Sequence, residues 1–154
     1  MDKNKAVIII LVIVIIALAA LLAWPFITSS QNDVKIYNNT IEGVGTFNTT
    51  NVTNFTLSNS SNSYQTNYIG NDSIAQISTT SSSSRVEVSI SEADRVNDSD
   101  EGHTIYKSTA NVGEHKGDVR YFSVLKDNDK ERYIFISTDS YNLTCMIVDS
   151  FKIF

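Results

Sequence analysis

The chain has 154 residues, of which 12 are basic and 17 acidic, and its formal net charge is −5. This length allows one globular domain of ordinary size. A single cysteine excludes a disulfide-stapled miniprotein, and only six glycines exclude a collagen-like chain. An acidic chain without a basic patch also argues against nucleic-acid binding, because phosphate contacts need clustered lysine and arginine.

An uncharged apolar segment lies near the start of the chain, at residues 6–26. Of its 21 residues, 20 are apolar, and the exception is Pro25. At about 1.5 Å per residue, a helix of this length spans the roughly 30 Å hydrocarbon core of a bilayer. Lys3 and Lys5 precede the segment, and the next basic residue is Lys35. The positive-inside rule therefore predicts a single-pass signal anchor with residues 1–5 in the cytoplasm and the later chain extracytoplasmic.

A cleaved signal peptide is the alternative interpretation of this segment. Such a peptide has an apolar core of about 7–15 residues, followed by a small-x-small cleavage site. Here the core is longer, and the small-x-small triplet at residues 17–19 lies inside it. We therefore expect an uncleaved anchor in the cell membrane, a juxtamembrane linker at residues 27–33 and an extracytoplasmic domain at residues 34–154.

The extracytoplasmic part changes composition at residues 81–84, where four serines follow one another. The part before them is rich in Asn, Ser and Thr, whereas the part after them carries most of the charge. Neither half alone would bury enough apolar surface to fold, so we predict one domain. Valine and isoleucine far outnumber leucine here, which favours a sheet, because β-branched side chains fit a pleated surface.

Several segments of the later half have strand patterns. Residues 86–90 alternate between valine or isoleucine and polar residues, which predicts a strand with one solvent-exposed face. Residues 119–125 and 133–137 are apolar on both faces and predict a central antiparallel hairpin around the polar turn at 126–130. Residues 104–107 are expected to pair with the first strand of that hairpin.

The end of the chain changes to a helical period. Leu143, Ile147 and Phe151 fall on one helical face, and Ser140 or Asn142 is the candidate cap. The last three residues are expected to return as an edge strand. The predicted fold class is α+β: an N-terminal transmembrane helix, then an antiparallel-sheet domain of six to eight strands with a short C-terminal helix.

Asparagine sequons are the densest motif of the chain. The pattern Asn-x-Ser/Thr occurs eight times, about twice as often as the composition alone would give. An exported protein can carry glycans on such residues where they are exposed, and compositional bias is the alternative account. Asn142 is set aside, because a helix cap would hide its amide. The remaining seven are candidate glycosylation sites: Asn38, Asn48, Asn51, Asn54, Asn59, Asn71 and Asn97.

Three further features have weaker patterns of a functional site. Cys145 has apolar neighbours, so we expect a buried small side chain rather than a nucleophile. The acidic run at residues 92–101 matches a calcium loop poorly, and a solvated loop is expected. The glycines at 43 and 45 lack the pattern of a dinucleotide site, and a close approach of two backbones accounts for them.

The loop between Gly113 and Gly117 holds three compact polar residues, Glu114, His115 and Lys116. Loops on a rigid sheet often carry binding groups, so these three form a possible binding loop. A plain hairpin connection is the alternative.

Part of the chain resembles a known group of proteins. The stretch IYKSTANVGEHKG at residues 105–117, with Arg120-Tyr121 and the ending at 149–152, resembles small, signal-anchored, uncharacterised surface proteins of methanogenic archaea. The strand–strand–helix ending with Ser-Phe-Lys is also similar to PsbP-like domains, which are α-β-α sandwiches. The first resemblance implies an archaeal cell-envelope location, where Asn-linked glycans are common, and neither implies a catalytic residue.

These observations predict a membrane-anchored, extracytoplasmic glycoprotein domain that is not an enzyme and that binds a partner protein or a cell-envelope component. The alternative is a small-ligand or ion sensor at the cell surface, with the loop at 113–117 or the acidic run as its site. A hydrolase has the least support, because Cys145 and two histidines form no evident constellation. No cofactor and no metal are expected.

Overall fold

The computed structural model describes residues 34–50, 52–70, 74–111 and 116–154. The predicted cytoplasmic segment, membrane anchor and linker therefore lie outside the described residues. Among the helices that are described, none has the length and apolar character needed to cross a membrane. Residues 35–154 form one folding unit.

Strands are the main regular structure of the described part of the chain, which contains ten strands and two helices. The two helices are α1 (Ser83–Ser91) and α2 (Tyr141–Ser150). The ten strands are β1 (Ile36–Ile41), β2 (Gly45–Thr50), β3 (Thr56–Leu57), β4 (Gln65–Ile69), β5 (Ala75–Thr80), β6 (Asp94–Arg95), β7 (Tyr106–Thr109), β8 (Val119–Asp127), β9 (Arg132–Thr138) and β10 (Lys152–Ile153). The domain is therefore a mixed α+β fold, rich in antiparallel sheet, with a short C-terminal helix.

The strands form two antiparallel sheets. The large sheet has the order β3-β4-β5-β9-β8-β7-β6, and the small sheet has the order β1-β2-β10. The predicted central hairpin is confirmed, because β8 pairs with β9 from Tyr121 opposite Thr138 to Asp127 opposite Arg132. Strand β7 pairs with β8, as predicted for residues 104–107. Strand β10 is the edge strand that was predicted at the end of the chain, and it belongs to the small sheet.

One face of the large sheet carries the apolar core. Ile77 on β5 and Ile134 and Ile136 on β9 are fully buried. Helix α2 contacts β8, β9 and β2, and its residues Leu143 and Ile147 join the core, as the helical period predicts. Since side chains alternate across a strand, the residues between these isoleucines point to the opposite face of the sheet.

The small sheet closes against the end of α2. Phe47 of β2 stacks on Phe151 with ring centroids 5.3 Å apart. At Gly45, a Cβ atom would lie 2.5 Å from the carbonyl oxygen of Lys152 and 2.6 Å from the Phe151 ring. The backbone at Gly45 therefore lies very close to the backbone at Lys152, which confirms the close approach that the sequence predicts for this glycine.

The predicted strand at residues 86–90 is wrong, because these residues lie in α1. Ser82 caps the helix, and its Oγ accepts the backbone N–H of Arg85 at 3.4 Å. Within the helix, the side chain of Val86 is buried, whereas that of Val88 is 54% exposed. The reason lies in the sheet order: β5 ends in the interior of the large sheet, and the next strand, β6, lies at its far edge. The connection must therefore cross the face of the sheet, and no strand position is free beside β5.

Candidate binding groove

A groove of about 760 Å³ lies between α1 and the face of the large sheet that points away from α2. Side chains from β4, β5, β7, β8 and β9 form its floor, and one face of α1 forms a wall. This volume lies within the range of about 300–1,000 Å³ that is typical of small-molecule sites. The residues that line it are mainly hydroxyl and carboxamide side chains with two phenylalanine rings.

The strand register places the floor residues in rows across the sheet. Gln76 of β5 stands opposite Ser137 of β9, and Ser137 stands opposite Phe122 of β8. In the next row, Ser78 of β5 stands opposite Phe135 of β9. Because paired residues of antiparallel strands share a face, these five side chains form one continuous polar and aromatic surface.

Buried Asn67 of β4 fixes the two glutamines of the floor. Its Oδ1 accepts hydrogen bonds from Gln65 Nε2 at 2.7 Å and from Gln76 Nε2 at 3.2 Å. Its Nδ2 in turn donates to the carbonyl oxygen of Ser60 at 3.2 Å. Both glutamines use their NH₂ groups in this network, and their Oε1 atoms accept no hydrogen bond from the described residues. The floor therefore holds two oriented acceptors whose conformation is set before any ligand binds.

Three aromatic rings continue the floor towards β7. Tyr106 stacks on Phe122 with centroids 5.2 Å apart, and Phe122 lies 6.2 Å from Phe135 at a tilt of 33°. Phe122 is buried, whereas Phe135 is half-buried and keeps part of its ring open to the groove. The rings support one another, so the aromatic part of the floor is rigid.

The wall of the groove is the face of α1 that carries Arg85, Ser89 and Glu92. These positions are four and three residues apart, which brings them to one side of a helix. Among the described residues, the ion pairs Arg95–Asp98 and Arg132–Asp127 involve neither Arg85 nor Glu92. The wall therefore presents one positive and one negative charge to the groove.

Thr80 joins the wall to the floor. Its Oγ1 donates to the carbonyl oxygen of Tyr64 at 2.7 Å and accepts the backbone N–H of Ser82 at 3.2 Å. Ser82 is the N-cap of α1, so the start of the helix is fixed to β5 by a single side chain.

Arg120 of β8 holds the end of the floor in place. Its Nη2 donates to the carbonyl oxygen of Ser137 at 3.2 Å, and its Nε donates to Ser137 Oγ at 3.4 Å. Burial lowers the pKa of the Arg120 guanidinium, and the nearby carboxylates of Asp139 and Asp118 oppose that shift. This guanidinium is a structural support beside the groove, because it is engaged with β9 rather than exposed along the floor.

The proposed binding loop lies only partly within the described residues. Glu114 and His115 lie outside them, and Lys116 is exposed. The base of the loop is closed by Ala110, whose N–H donates to the carbonyl oxygen of Asp118 at 3.0 Å. Asn111, at the start of the loop, lines the groove. The loop therefore begins beside the groove that the structure shows.

The candidate glycosylation sites are spread over the surface. Asn51 and Asn71 lie outside the described residues. Asn48 is half-buried, and its Oδ1 accepts a hydrogen bond from Asn38 Nδ2 at 3.2 Å across β1 and β2. The expectation that a cap hides Asn142 is wrong, because Ser140 occupies the N-cap of α2 and Asn142 is exposed. The exposed candidates are Asn38, Asn54, Asn59 and Asn97.

The later part of the acidic run, residues 96–101, forms a loop that contacts α2, whereas Asp94 lies in β6 and Glu92 follows α1. Ser99 is buried and donates its hydroxyl hydrogen to the carboxylate of Asp149. Tyr141 Oη donates to the carbonyl oxygen of Asp98 at 3.0 Å. Within the described ranges, no group of histidine, cysteine and acidic side chains is arranged to hold a metal ion. The loop therefore stabilises the domain at this position.

Cys145 lies on α2, on the side of the large sheet away from the groove. It is half-buried, so the burial expected from the sequence is only partial. Burial raises the pKa of its thiol, although a hydrogen bond with Tyr141 opposes the shift. The Asp149 and Asp100 carboxylates raise the pKa of Cys145 further. The thiol form is therefore favoured at neutral pH, where a nucleophilic cysteine would need the thiolate.

Sequence reasoning missed the groove itself. On β5, Gln76 and Ser78 alternate with core residues, which is the pattern of a strand with one solvent-facing side, whereas Phe135 on β9 has the pattern of an interior residue. The chain matches no known protein family, and no curated protein or solved structure is similar to it.

Proposed function

We propose that this protein is a membrane-anchored, extracytoplasmic binding domain without enzymatic activity, and that the groove between α1 and the large sheet is its binding site. The observation that carries this proposal is the pre-organised floor of the groove, where Asn67 orients two glutamines beside an aromatic row. Fixed acceptors and rigid rings lower the entropic cost of binding a ligand.

The location comes from the sequence. The uncharged segment at residues 6–26 anchors the chain, and Lys3 and Lys5 keep its N-terminus in the cytoplasm. The exposed sequons fit a glycoprotein of the cell envelope, and the resemblance to surface proteins of methanogenic archaea supports an archaeal envelope. In this arrangement the groove faces envelope components or partners outside the cell.

Binding is favoured over catalysis by the chemistry of the lining. Arg85 and Glu92 are the only ionisable side chains among the described residues that line the groove. General acid–base and nucleophilic catalysis need a titratable pair within hydrogen-bond reach of the substrate. Cys145 is separated from the groove by the sheet. The groove is thus suited to recognition of a polar ligand, which also covers the small-ligand sensor alternative.

The location is tested with the full-length chain in intact cells of its native host. External protease should remove the domain while the N-terminus is protected, and the intact mass of the purified protein should show a retained anchor and added glycans. Protection of the whole chain from protease would contradict the proposed topology.

Binding is tested by filling the groove from its helical wall. Ser89→Trp places a large ring in the groove, whereas Ser91→Trp places the same ring on the exposed side of α1. Tagged full-length proteins are recovered from native membranes after mild crosslinking, and retained proteins and glycans are identified. We expect a component that wild type and Ser91→Trp retain and that Ser89→Trp loses. Equal retention by all three proteins would exclude the groove as the binding site.

A further inference from the structure

We infer that the ligand of the groove is a neutral saccharide. This inference rests on the proposed function, since it names the chemical class that the same groove recognises. Three properties of the groove lead to it: its hydrogen-bonding groups, its aromatic floor and its balance of charge.

The hydrogen-bonding groups of the floor suit a polyhydroxylated ligand. Gln65 and Gln76 present Oε1 acceptors, and Ser137 and Ser78 present hydroxyl groups in adjacent rows. A sugar hydroxyl both donates and accepts, so it can donate to a fixed amide oxygen and accept from a serine. Because the amides are already oriented by Asn67, little side-chain freedom is lost when such a ligand binds.

The aromatic floor suits the apolar side of the same ligand. A pyranose ring presents polarised C–H groups on one face, and the negative face of an aromatic ring attracts them. Phe135 keeps part of its ring open and stands directly opposite Ser78, so an apolar contact and a hydroxyl are neighbours in one row. A ligand that is polar at its rim and apolar on its face matches this juxtaposition.

The charges of the wall favour a neutral ligand. Phosphate-bearing ligands are bound by clustered arginine and lysine, and the described lining has Arg85 as its cation, with Glu92 on the same helical face. A lipid tail would need apolar walls, whereas α1 presents arginine, serine and glutamate. The wall therefore matches hydroxyl groups better than either a phosphate or an acyl chain.

The test uses the full-length chain in a zwitterionic detergent without a sugar headgroup, because a glycoside detergent would compete for the groove. Isothermal titration calorimetry is run with three neutral probes, namely mannotriose, maltotriose and triacetylchitotriose. Trigalacturonate and inorganic phosphate serve as anionic probes. We expect saturable binding of at least one neutral trisaccharide and none of phosphate.

Two floor variants then locate the binding. Gln76→Leu removes one oriented acceptor at similar size, and Phe135→Ala removes the open ring. Each should weaken binding of the neutral probe at least tenfold, while Phe154→Ala, an exposed ring outside the groove, should leave it unchanged. Circular dichroism and thermal unfolding identify a variant that does not fold, and in that case Ser89→Trp replaces it, because its helical position does not disturb the sheet.

The outcomes separate this inference from the proposed function. If only trigalacturonate or phosphate binds, or if the floor variants bind the neutral probe as wild type does, the saccharide inference is overturned. If no probe binds but Ser89→Trp still abolishes retention of an envelope component, the saccharide inference fails and the proposed binding function stands. If no probe binds and Ser89→Trp retains every component, both fail.

Discussion

Arg132 connects Asp127 to a turn of the small sheet. Its Nε donates to Asp127 Oδ2 at 2.8 Å, and its Nη2 donates to the carbonyl oxygen of Gly43 at 2.6 Å. Asp127 is 3% exposed and also accepts the backbone N–H of Lys130, so one carboxylate organises the whole β8–β9 turn. The sequence predicts only a polar turn at residues 126–130, and the structure shows that Asp127 holds this turn together.

We predict that Asp127→Asn destabilises the domain. The asparagine cannot form the charged hydrogen bond, and the guanidinium of Arg132, which is only partly exposed, loses its counter-charge. Urea unfolding should show a lower midpoint with an unchanged slope. Asp129→Asn is the matched control, because Asp129 lies exposed in the same turn, and its midpoint should equal that of wild type. Equal midpoints for both variants would contradict the structural role of Asp127.

The contribution of Asp127 should depend on pH. Burial alone would raise the pKa of this carboxyl, but the hydrogen bonds from Arg132 and Lys130 and their charges outweigh burial and hold the pKa below its usual value. A carboxyl with a lowered native pKa stabilises the folded state above its unfolded pKa, about 3.9, and loses that contribution as the pH falls through the native pKa. The stability difference between wild type and Asp127→Asn should be constant from about pH 6 to 8 and shrink below about pH 4. A constant difference down to the lowest pH would refute this.

The close approach at Gly45 predicts a large effect of a small substitution. Gly45→Ala places a methyl group against the Lys152 carbonyl oxygen and the Phe151 ring, which separates β10 from β2. We expect a loss of roughly 2–3 kcal/mol in the free energy of unfolding. Gly102→Ala is the control, since its Cβ meets no atom and only the left-handed backbone at φ +83° is strained, which costs about 1 kcal/mol. An equal cost at both glycines would argue against the close contact.

The hydroxyl of Thr138 stabilises the start of α2. It donates to the carbonyl oxygen of Ser140 at 2.7 Å, accepts the Ser140 N–H at 3.0 Å and lies 2.9 Å from the Thr144 hydroxyl. These bonds hold Ser140, the N-cap residue, whose own side chain makes no capping hydrogen bond. Thr138→Val keeps the shape and removes all three hydrogen bonds, so we expect about 1–3 kcal/mol of destabilisation in thermal unfolding. Thr56→Val, at an exposed position, should change stability little in a host that adds no glycans. A neutral Thr138→Val variant would show that the hydroxyl is dispensable.

The raised pKa of Cys145 predicts slow alkylation. Burial keeps the thiol protonated, so iodoacetamide at neutral pH should react with the folded protein much more slowly than with the unfolded chain. Mass spectrometry of the alkylated protein over time, with and without denaturant, measures both rates. Similar rates would indicate an accessible thiolate, and the nucleophile interpretation would then need to be reconsidered.

The elements that could be predicted from the sequence are those whose pattern of apolar residues is compatible with only one type of secondary structure. Strands β8 and β9 are apolar on both faces and are joined by a polar turn, and α2 repeats apolar residues at Leu143 and Ile147. Helix α1 was not predicted because its valines alternate with polar residues as they would in a strand. The order of the strands in the sheet excludes a strand at this position, and the local sequence does not contain that order.

The groove could not be predicted for a related reason. Gln76, Ser78 and Ser137 come from distant parts of the chain, and only the register of β5 with β9 brings them together. Each residue alone has the character of an exposed polar position. Helix α1, which crosses this face of the sheet, makes these residues a candidate site. The sequence pattern predicted a strand in place of this helix.

The pairing of β10 with β2 has a consequence for how the domain is made. Lys152 lies beside Thr46, so the second edge of β2 stays unpaired until a strand far along the chain has been made. Contacts between such distant positions are slow to form and leave early strands exposed in the meantime. We therefore expect the hairpin of β1 and β2 to keep one edge open to other strands until β10 has been made.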